Sequence, residues 1–158
     1  FKSKLPTYYG NDILETFYDP FHLSIQNQLE ALLSKFGVCY HFDLHSMPQR
    51  AVKSMKNIPD IVLGDNYRKS CSFKLINYIK DQFEKYGLIV AINQPYAGGF
   101  ITRNYGNPFK GRETMQIEVN RSVYMNEDKL LLRNIEPIQK IFSEIFNFFS
   151  YNYKIAVK

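Results

Sequence analysis

Hydrophobic residues recur along this chain with two spacings, one typical of helices and one typical of strands. Over residues 19–36 they recur every three or four positions, which is typical of one face of a helix. Asp19 suits the N-cap of that helix, Pro20 its first turn and Gly37 its end. The predicted inward face comprises Phe21, Ile25, Leu29, Leu32 and Phe36. Residues 1–18 show neither spacing and are predicted to be irregular.

The next segment, VCYHFDLH at residues 38–45, alternates in the manner of a strand. One side of this strand is predicted to carry Tyr40, Phe42 and Leu44. The opposite side is predicted to carry Cys39, His41, Asp43 and His45. An acid, a histidine and a hydroxyl therefore lie close together at the end of the strand, in the stretch DLHSMP.

Further strands and helices alternate along the rest of the chain. Strands are predicted at residues 59–65, 88–93 and 114–120, and a helix at residues 70–86 that Gly87 ends. The apolar run at 88–93 is typical of a buried parallel strand. It leads into a loop of more than fifteen residues with four glycines, and loops of this length are commonly functional. The inward residues of the helix are Leu75, Ile76, Ile79 and Phe83.

A last helix is predicted after Asn134, which suits its N-cap, and its first turn tolerates Pro137. Its apolar face comprises Ile138, Ile141, Phe142, Ile145 and Phe149. The repeated strand–helix–strand order predicts an α/β layered fold with a mostly parallel central sheet. The chain shows no internal repeat and no linker, so residues 1–158 are interpreted as a single domain.

Composition narrows the class of protein. Hydrophobic residues make up 45% of the chain, which is typical of a globular protein, and no apolar run is long enough for a membrane span. The two cysteines, Cys39 and Cys71, make no disulfide framework and are interpreted as packing residues in a reducing, cytoplasmic compartment. The net charge of +5 comes from scattered lysines, so no nucleic-acid partner is expected.

Polar side chains follow the predicted strands at their carboxyl ends, where α/β sheets usually carry their ligand sites. The residues concerned are Asp43, His45 and Ser46 after the first strand, Gly64 and Asp65 after the second, the loop 93–106 after the third, and Glu118, Asn120 and Arg121 at the last. We expect these groups to converge on one edge of the sheet.

Each of these side chains has a functional and a structural interpretation. His45 is either a zinc ligand or a polar residue at a strand end, and His41 either joins it or hydrogen-bonds within the layers. Glu118 is either a functional buried carboxylate or a surface residue. Arg103 and Arg121 either hold a substrate carboxylate or pair with a local acid. The local sequence leaves these alternatives open.

Several motifs together resemble the N-formylglutamate amidohydrolase family. They are YDPFH, DLHSMP, PDIVLGD, NQPYAGGFITRNYG and MQIEVNRSVYM, in the family's order between residues 18 and 128. The resemblance implies a zinc-dependent hydrolase with a zinc carboxypeptidase-like, phosphorylase/hydrolase-like fold. It also implies removal of formate from N-formyl-L-glutamate, a small acidic acyl-amino acid, in a late step of histidine breakdown.

The same resemblance implies roles for particular side chains. His45 matches the family's metal-ligand histidine, and Glu118 matches the glutamate that activates the zinc-bound water. Asp43 is then the residue that orients the site. The predicted substrate-binding residues are Arg103, Asn120 and Arg121. In this chemistry zinc lowers the pKa of its water to about 7, and the carboxylate passes the proton to the leaving amine.

One family motif has no counterpart here. The resemblance places two further metal ligands in a proline–histidine–serine–glycine motif and a following acid, which do not occur before Asp43. The chain therefore resembles the C-terminal part of the family, truncated at its N-terminus, with an incomplete zinc site. Three residues are possible substitutes, namely His22, His41 and Asp43. Two alternatives follow: an upstream chain completes the site and the sheet, or the protein is an inactive remnant that at most binds a ligand or a partner.

Overall fold

The protein is described by a computed structural model that covers residue 10, residues 12–133 and residues 135–156, with side chains to residue 147. The described chain divides into two compact units, the first ending at Cys39 and the second beginning at Tyr40. Each unit is treated by itself below. The single-domain interpretation stays a prediction, and the predicted cap Asn134 and the side chain of Phe149 lie outside the described residues.

The first unit contains a π-helical turn, Leu14–Tyr18, that leads directly into helix α1, Asp19–Phe36. Gly37 ends α1 in the left-handed region with φ 74°, as predicted. The irregular structure predicted for residues 12–18 is wrong, and Asp19 is a helical residue rather than an N-cap. The helix can begin before Pro20 because the π-helical turn is wider than an α-helical turn. It accommodates the hydrogen bond that Pro20, which has no N–H, does not make.

The predicted inward face of α1 is only partly correct. Leu29 is buried, but the exposed fractions of Phe21, Leu32 and Phe36 are 56%, 42% and 49%. Helical spacing predicts which residues share a face, whereas burial needs a second element to cover that face. From residue 12 to residue 36 the described part of this unit is helical, and it supplies no second layer of its own.

The second unit is built on a four-stranded sheet in the order β1-β4-β2-β3. The strands are β1 (Cys39–Met47), β2 (Ile61–Gly64), β3 (Val90–Ile92) and β4 (Arg112–Asn120). All four lie where the sequence predicts strands, which confirms the α/β layered class. A short hairpin follows, made of β5 (Met125–Asn126) and β6 (Leu131–Leu132).

Strand directions give a mostly parallel sheet that contains an antiparallel pairing of β2 with β4. Strands β2 and β3 are parallel, whereas β2 and β4 are antiparallel, with Ile61 opposite Val119 and Gly64 opposite Gln116. Since β3 is the last strand in the order, its residues are only half-buried. The expectation that residues 88–93 form a fully buried strand is therefore wrong, because an edge strand has a neighbour on one side only.

Two helices, α2 (Phe73–Lys85) and α4 (Ile135–Ala156), pack on the main core and cover one face of the sheet. The short helix α3 (Phe100–Tyr105) lies on the other face, where the ring of Tyr105 meets the ring of His41. The predicted inward residues of α2 are all buried. Within α4, Ile138 and Ile145 are buried while Ile141 and Phe142 are partly buried against the same core. This agreement reflects the strong helical spacing of both segments.

The glycine-rich loop predicted between β3 and β4 contains helix α3 and a 3-10 turn, Pro108–Lys110. The prediction of one continuous loop between these strands is therefore wrong. Short helices of this kind are hard to see in a sequence, because six residues show less than two full turns of spacing. The chain is packed closely here, and a Cβ on Gly64 would come within 2.6 Å of the backbone nitrogen of Gly98.

Replacing Gly106 with alanine is expected to destabilise the second unit. Gly106 has φ −73°, which any residue adopts, but a Cβ there would meet the side chain of Ser70 and lie 2.5 Å from its Cα. Overpacking of this kind costs about 1–3 kcal/mol of unfolding free energy. Urea denaturation measures the loss, and Gly10→Ala is the control because a Cβ at Gly10 meets nothing within 4 Å. Equal midpoints for the two variants would contradict the steric account.

Of the helices in the described part of the chain, none has the length and hydrophobicity needed to cross a lipid bilayer.

Candidate active site on the polar face of the sheet

The face of the sheet opposite α2 and α4, called the polar face below, carries a row of polar residues of β1 and β4 beside a small apolar cluster of Met47, Val52 and Val62. In β4 the side chains of Met115 and Ile117 point into the main core, so the alternate residues point to the other face. These residues are Thr114, Gln116, Glu118 and Asn120, and all four are buried. In β1, Tyr40 and Phe42 pack on the main core, so His41, Asp43 and His45 share the polar face with Glu118.

Glu118 is a buried carboxylate with one oxygen held and one oxygen free. Its exposed fraction is 6%, and it lies opposite Val62 of β2. Oε1 accepts a hydrogen bond of 2.6 Å from Nε2 of Gln116, whereas Oε2 is buried without a hydrogen-bond partner among the described residues. The surface interpretation of Glu118 is therefore wrong. A buried carboxylate oxygen without a partner is costly, which marks it as a candidate for function.

Gln116 connects Glu118 to the glycine-rich loop. Its Oε1 accepts the backbone N–H of Gly99 at 2.6 Å, while its amide nitrogen donates to Glu118. The side chain is thus held at both ends, and it holds the carboxylate in one orientation. Sequence analysis missed Gln116, although its position two residues before Glu118 places it on the same strand face.

His45 and Asp43 form a pair near the end of β1. Nε2 of His45 lies 3.0 Å from Oδ1 of Asp43, and the His45 side chain is 47% exposed. A neutral imidazole that donates a hydrogen bond from Nε2–H to a carboxylate keeps its lone pair on Nδ1. Nδ1 is then the atom available to a metal. The contact is the one expected of an orienting carboxylate, and the two roles remain predictions.

His41 lies on the same face but is engaged differently. Its ring meets the ring of Tyr105 edge-on at 6.3 Å, and its Nδ1 is buried without a hydrogen-bond partner in the described residues. Burial lowers the pKa of His41, and the opposing effect of nearby Asp43 is smaller. The imidazole is therefore held in its neutral form.

The ends of β1 and β4 meet at one edge of the sheet. Nε of Arg121, directly after β4, donates to Oγ of Ser46 at 3.3 Å. Nη1 of Arg121 lies 3.9 Å from Oε1 of Glu127, and Oε2 of Glu127 accepts the backbone N–H of Gln49 at 3.0 Å. Sequence analysis missed Glu127, since nothing in its neighbourhood shows that it returns to the end of β1.

The predicted convergence of all strand ends on one edge is wrong. Since β4 is antiparallel to β2, Arg121 lies at the start of β2 and the glycine-rich loop lies at its end. Arg103 belongs to that loop, where Nη1 donates to the carbonyl of Gly98 at 3.4 Å. The two arginines therefore stand towards opposite ends of β4, with Glu118 between them.

Asn120 has mainly structural contacts. Its Nδ2 donates to the carbonyl of Pro59 at 3.0 Å, and its Oδ1 accepts both the N–H and the hydroxyl of Ser122. Most of its hydrogen-bonding capacity is thus occupied within the protein. Its substrate-binding role stays a prediction.

Both cysteines are buried and neither forms a disulfide with a described residue, which agrees with their interpretation as packing residues. Burial is also the main reason why the pKa of the Cys71 thiol is raised, so the thiol stays protonated and unreactive.

The described residues do not complete a metal site. Among them no group of three or more His, Cys, Asp or Glu side chains could hold a metal ion. A catalytic zinc ion takes about three protein ligands. His45 offers one ligating nitrogen, and neither His41 nor Asp43 joins it in such a group.

Comparison with known proteins identifies the family. The sequence profile of the N-formylglutamate amidohydrolase family matches residues 2–125. This chain belongs to that family. Its motifs around His45 and Glu118 both lie within the matched residues.

Two curated relatives and one solved structure show the extent of the similarity. N-formylglutamate deformylases of Pseudomonas putida and Pseudomonas aeruginosa are 31% and 30% identical to 72% of this chain. The chain spans only 43% and 44% of their lengths. The crystal structure of N-formylglutamate amidohydrolase from Ralstonia eutropha matches 85% of this chain and 50% of its own, with 29% identity and a TM-score of 0.78.

Proposed function

We propose that this chain carries the proton-transfer and substrate-binding part of a zinc-dependent amidohydrolase that cleaves N-formyl-L-glutamate to formate and L-glutamate. The observation that carries the proposal is Glu118, a buried carboxylate with one free oxygen on the same sheet face as the His45–Asp43 pair. Membership in the N-formylglutamate amidohydrolase family and relatives named N-formylglutamate deformylase support hydrolysis as the reaction.

Glu118 is the general base in this proposal. Its free Oε2 takes a proton from the attacking water and returns it to the amine that leaves with glutamate. Gln116 holds the other oxygen, so the carboxylate does not have to reorient between the two transfers. The buried surroundings exclude bulk water and strengthen the interaction of the carboxylate with the reacting groups.

Zinc is the proposed cofactor, with Nδ1 of His45 as one ligand and Asp43 as the group that orients the ring. The described residues do not supply a complete set, and the chain spans less than half the length of its curated relatives. We therefore propose that the remaining ligands come from polypeptide corresponding to the part of those relatives that this chain does not match. The same polypeptide would complete the sheet.

The proposed substrate is a small acidic acyl-amino acid, and its carboxylates suit arginine partners. Arg121 and Arg103 are the candidates on the two sides of Glu118. The proposed setting is the cytoplasm, in a late step of histidine breakdown. Neither nucleic acid nor membrane is a proposed partner.

The incomplete metal site favours a second candidate. In this alternative the chain is an inactive remnant of such an enzyme that binds a ligand or a partner without turning it over. The specific observation in its favour is that no group of three possible metal ligands occurs among the described residues.

Formate release from N-formyl-L-glutamate separates the two candidates. We expect the chain, combined with the part of a curated relative that it does not match, to release formate when zinc is added and to stop when a chelator removes it, because the metal is required for turnover. An enzyme-coupled formate assay measures the rate, and buffer with zinc alone is the control. Absence of formate release at saturating zinc, from protein shown to be folded, would favour the remnant.

A further inference from the structure

Two segments that are far apart in the sequence carry an excess of positive charge. They are residues 66–74 and 107–112, and together they contain no aspartate or glutamate. Their five cations are Arg68, Lys69, Lys74, Lys110 and Arg112. Five positive charges equal the formal net charge of the whole chain, +5, so the acidic and basic side chains of the remaining residues balance. Both segments belong to the second unit.

Hydrogen bonds and close packing bring the two segments together. The N–H of Thr114 donates to the carbonyl of Ser70 at 2.7 Å, and Gly106 packs so tightly on Ser70 that a Cβ would lie 2.5 Å from its Cα. Two backbone hydrogen bonds of 2.7 and 3.0 Å between Asn107 and Arg112 close the second segment into a turn. The charge that the sequence spreads along the chain is thus gathered on residues 66–74 and 107–112, called the basic surface below.

The two acids that flank these segments do not offset the charge at the surface. Asp65 and Glu113 are 1% and 7% exposed. Oδ1 of Asp65 accepts the N–H of Arg68 and the side-chain amide of Asn93, and Oε2 of Glu113 accepts the N–H of Ser72. Even with both carboxylates counted, the basic surface is net positive and attracts anions.

Aromatic rings stand among the cations of the basic surface. The exposed fractions of Phe109, Tyr67 and Phe73 are 100%, 66% and 59%, and all of the five cations except Arg112 are exposed as well. Exposed apolar groups rimmed by polar residues mark interaction sites. Aromatic residues and arginine are also the types enriched at protein interfaces. The basic surface therefore has the composition of a protein-binding site.

Arg68 is oriented to receive a carboxylate. Its guanidinium carbon lies 4.9 Å from the centroid of the Phe73 ring, and this cation–π contact restrains the group. An arginine stacked on a ring keeps its N–H edge for a partner, and this planar fork matches the two oxygens of a carboxylate. A restrained side chain also loses less entropy on binding.

We propose that the basic surface binds an acidic polypeptide segment that also carries apolar side chains. The carboxylates of the segment contact Arg68, Lys69 and Lys110, and an apolar side chain covers Phe109. Charge complementarity carries the proposal, because the surface concentrates cations while the rest of the chain is balanced. The interaction goes beyond the proposed hydrolysis, since none of these residues is a candidate site residue.

Two other anionic partners fit the basic surface less well. Phe109 is its one fully exposed ring, and a lipid bilayer gains little from one ring, since even a myristoyl chain gives only marginal membrane binding. A single-stranded nucleic acid stacks successive bases on open aromatic faces, but the guanidinium of Arg68 covers one face of Phe73. A polypeptide segment uses both the cations and Phe109.

Titration of the purified chain with synthetic peptides tests the proposal. The probe is a fluorescently labelled peptide of Glu, Leu and Gly, and its matched control carries Gln at every Glu position. We expect the Glu peptide to bind at least about tenfold more tightly than the Gln peptide in an anisotropy assay, and its binding to weaken as ionic strength rises. A peptide with Ser at each Leu position should bind more weakly than the Glu peptide, because it leaves Phe109 uncovered.

Variants of exposed side chains assign the binding to this surface. Lys69→Gln with Lys110→Gln should weaken binding of the Glu peptide about threefold or more, the loss expected for two exposed charge contacts. Phe109→Ser should weaken it about fivefold or more, as truncation of an interface anchor does. The matched control is Lys53→Gln with Lys56→Gln, which removes the same charge at exposed positions outside the surface and should leave the affinity unchanged. Circular dichroism verifies that each variant is folded.

Three results would overturn the assignment: no preference for the Glu peptide over the Gln peptide, equal affinity in the surface variants and the lysine control, or tighter binding of oligo(dT) or of phosphatidylserine vesicles than of the Glu peptide. The last result would assign the surface to nucleic acid or to lipid. Failure of this test leaves the proposed hydrolysis untouched, because no zinc, substrate or formate enters the titration. Absence of formate release likewise leaves the peptide result unchanged.

Discussion

Replacing Glu118 with glutamine is expected to lower the rate of formate release by about 10²–10⁴-fold, the usual contribution of a general base. Glutamine has nearly the same shape and can still accept the hydrogen bond from Gln116, so the fold should persist. Its amide, however, takes up no proton from water near neutral pH. The measurement is kcat for N-formyl-L-glutamate, with zinc binding measured by calorimetry on the same preparation and expected to stay the same.

Glu113→Gln is the matched control for that variant. Glu113 is also a buried glutamate on β4, but its Oε2 accepts the backbone N–H of Ser72 at the start of α2. Its replacement should lower the free energy of unfolding and leave kcat unchanged, because the side chain serves the helix rather than the polar face. Full activity in Glu118→Gln would remove Glu118 from the mechanism, and equal loss in both variants would point to a structural cause.

Replacing His45 with alanine is expected to abolish zinc-dependent formate release and to weaken zinc binding at least about tenfold. Asp43 holds the imidazole through Nε2, so Nδ1, the proposed ligand atom, has a defined direction, and alanine offers no replacement. Asp43→Asn should weaken zinc binding by about 10–100-fold, which is the usual effect of losing an orienting carboxylate. Zinc titration by calorimetry measures both variants.

His22→Ala is the control for His45→Ala. His22 lies in α1, where its ring packs against Tyr18 and Phe21, and its removal should leave zinc affinity unchanged. Zinc binding that is equally strong in the unmodified chain and in His45→Ala would exclude His45 as a ligand. Zinc binding lost only in His22→Ala would assign the metal to a different part of the chain.

Much of the local structure follows from spacing alone. Alternation over residues 38–45 predicts β1 and the shared face of Asp43 and His45, because successive strand side chains point to opposite faces. Helical spacing predicts the buried residues of α2, and Gly37 and Gly87 predict where helices end, both with positive φ. These features depend on neighbours within a few residues, which the sequence displays directly.

The arrangement of the candidate site depends on contacts between distant residues. The position of Glu118 between Arg103 and Arg121 follows from the antiparallel pairing of β4 with β2, and the parallel direction expected from the order of elements would have placed both arginines together. Likewise, only the packed chain brings Gly99 to Gln116, 17 residues away, and Gln49 to Glu127, 78 residues away.

The sequence by itself therefore predicted the four strands of the sheet and the family, and it named His45 and Glu118 as candidate site residues. The tertiary structure alone decided that Glu118 is buried with one free oxygen, that Arg103 and Arg121 lie towards opposite ends of β4, and that the apolar side of α1 is largely exposed. The physical reason is that side-chain direction is a local property of the backbone. Strand direction and burial, in contrast, are set by hydrogen bonds and packing between segments far apart in the chain.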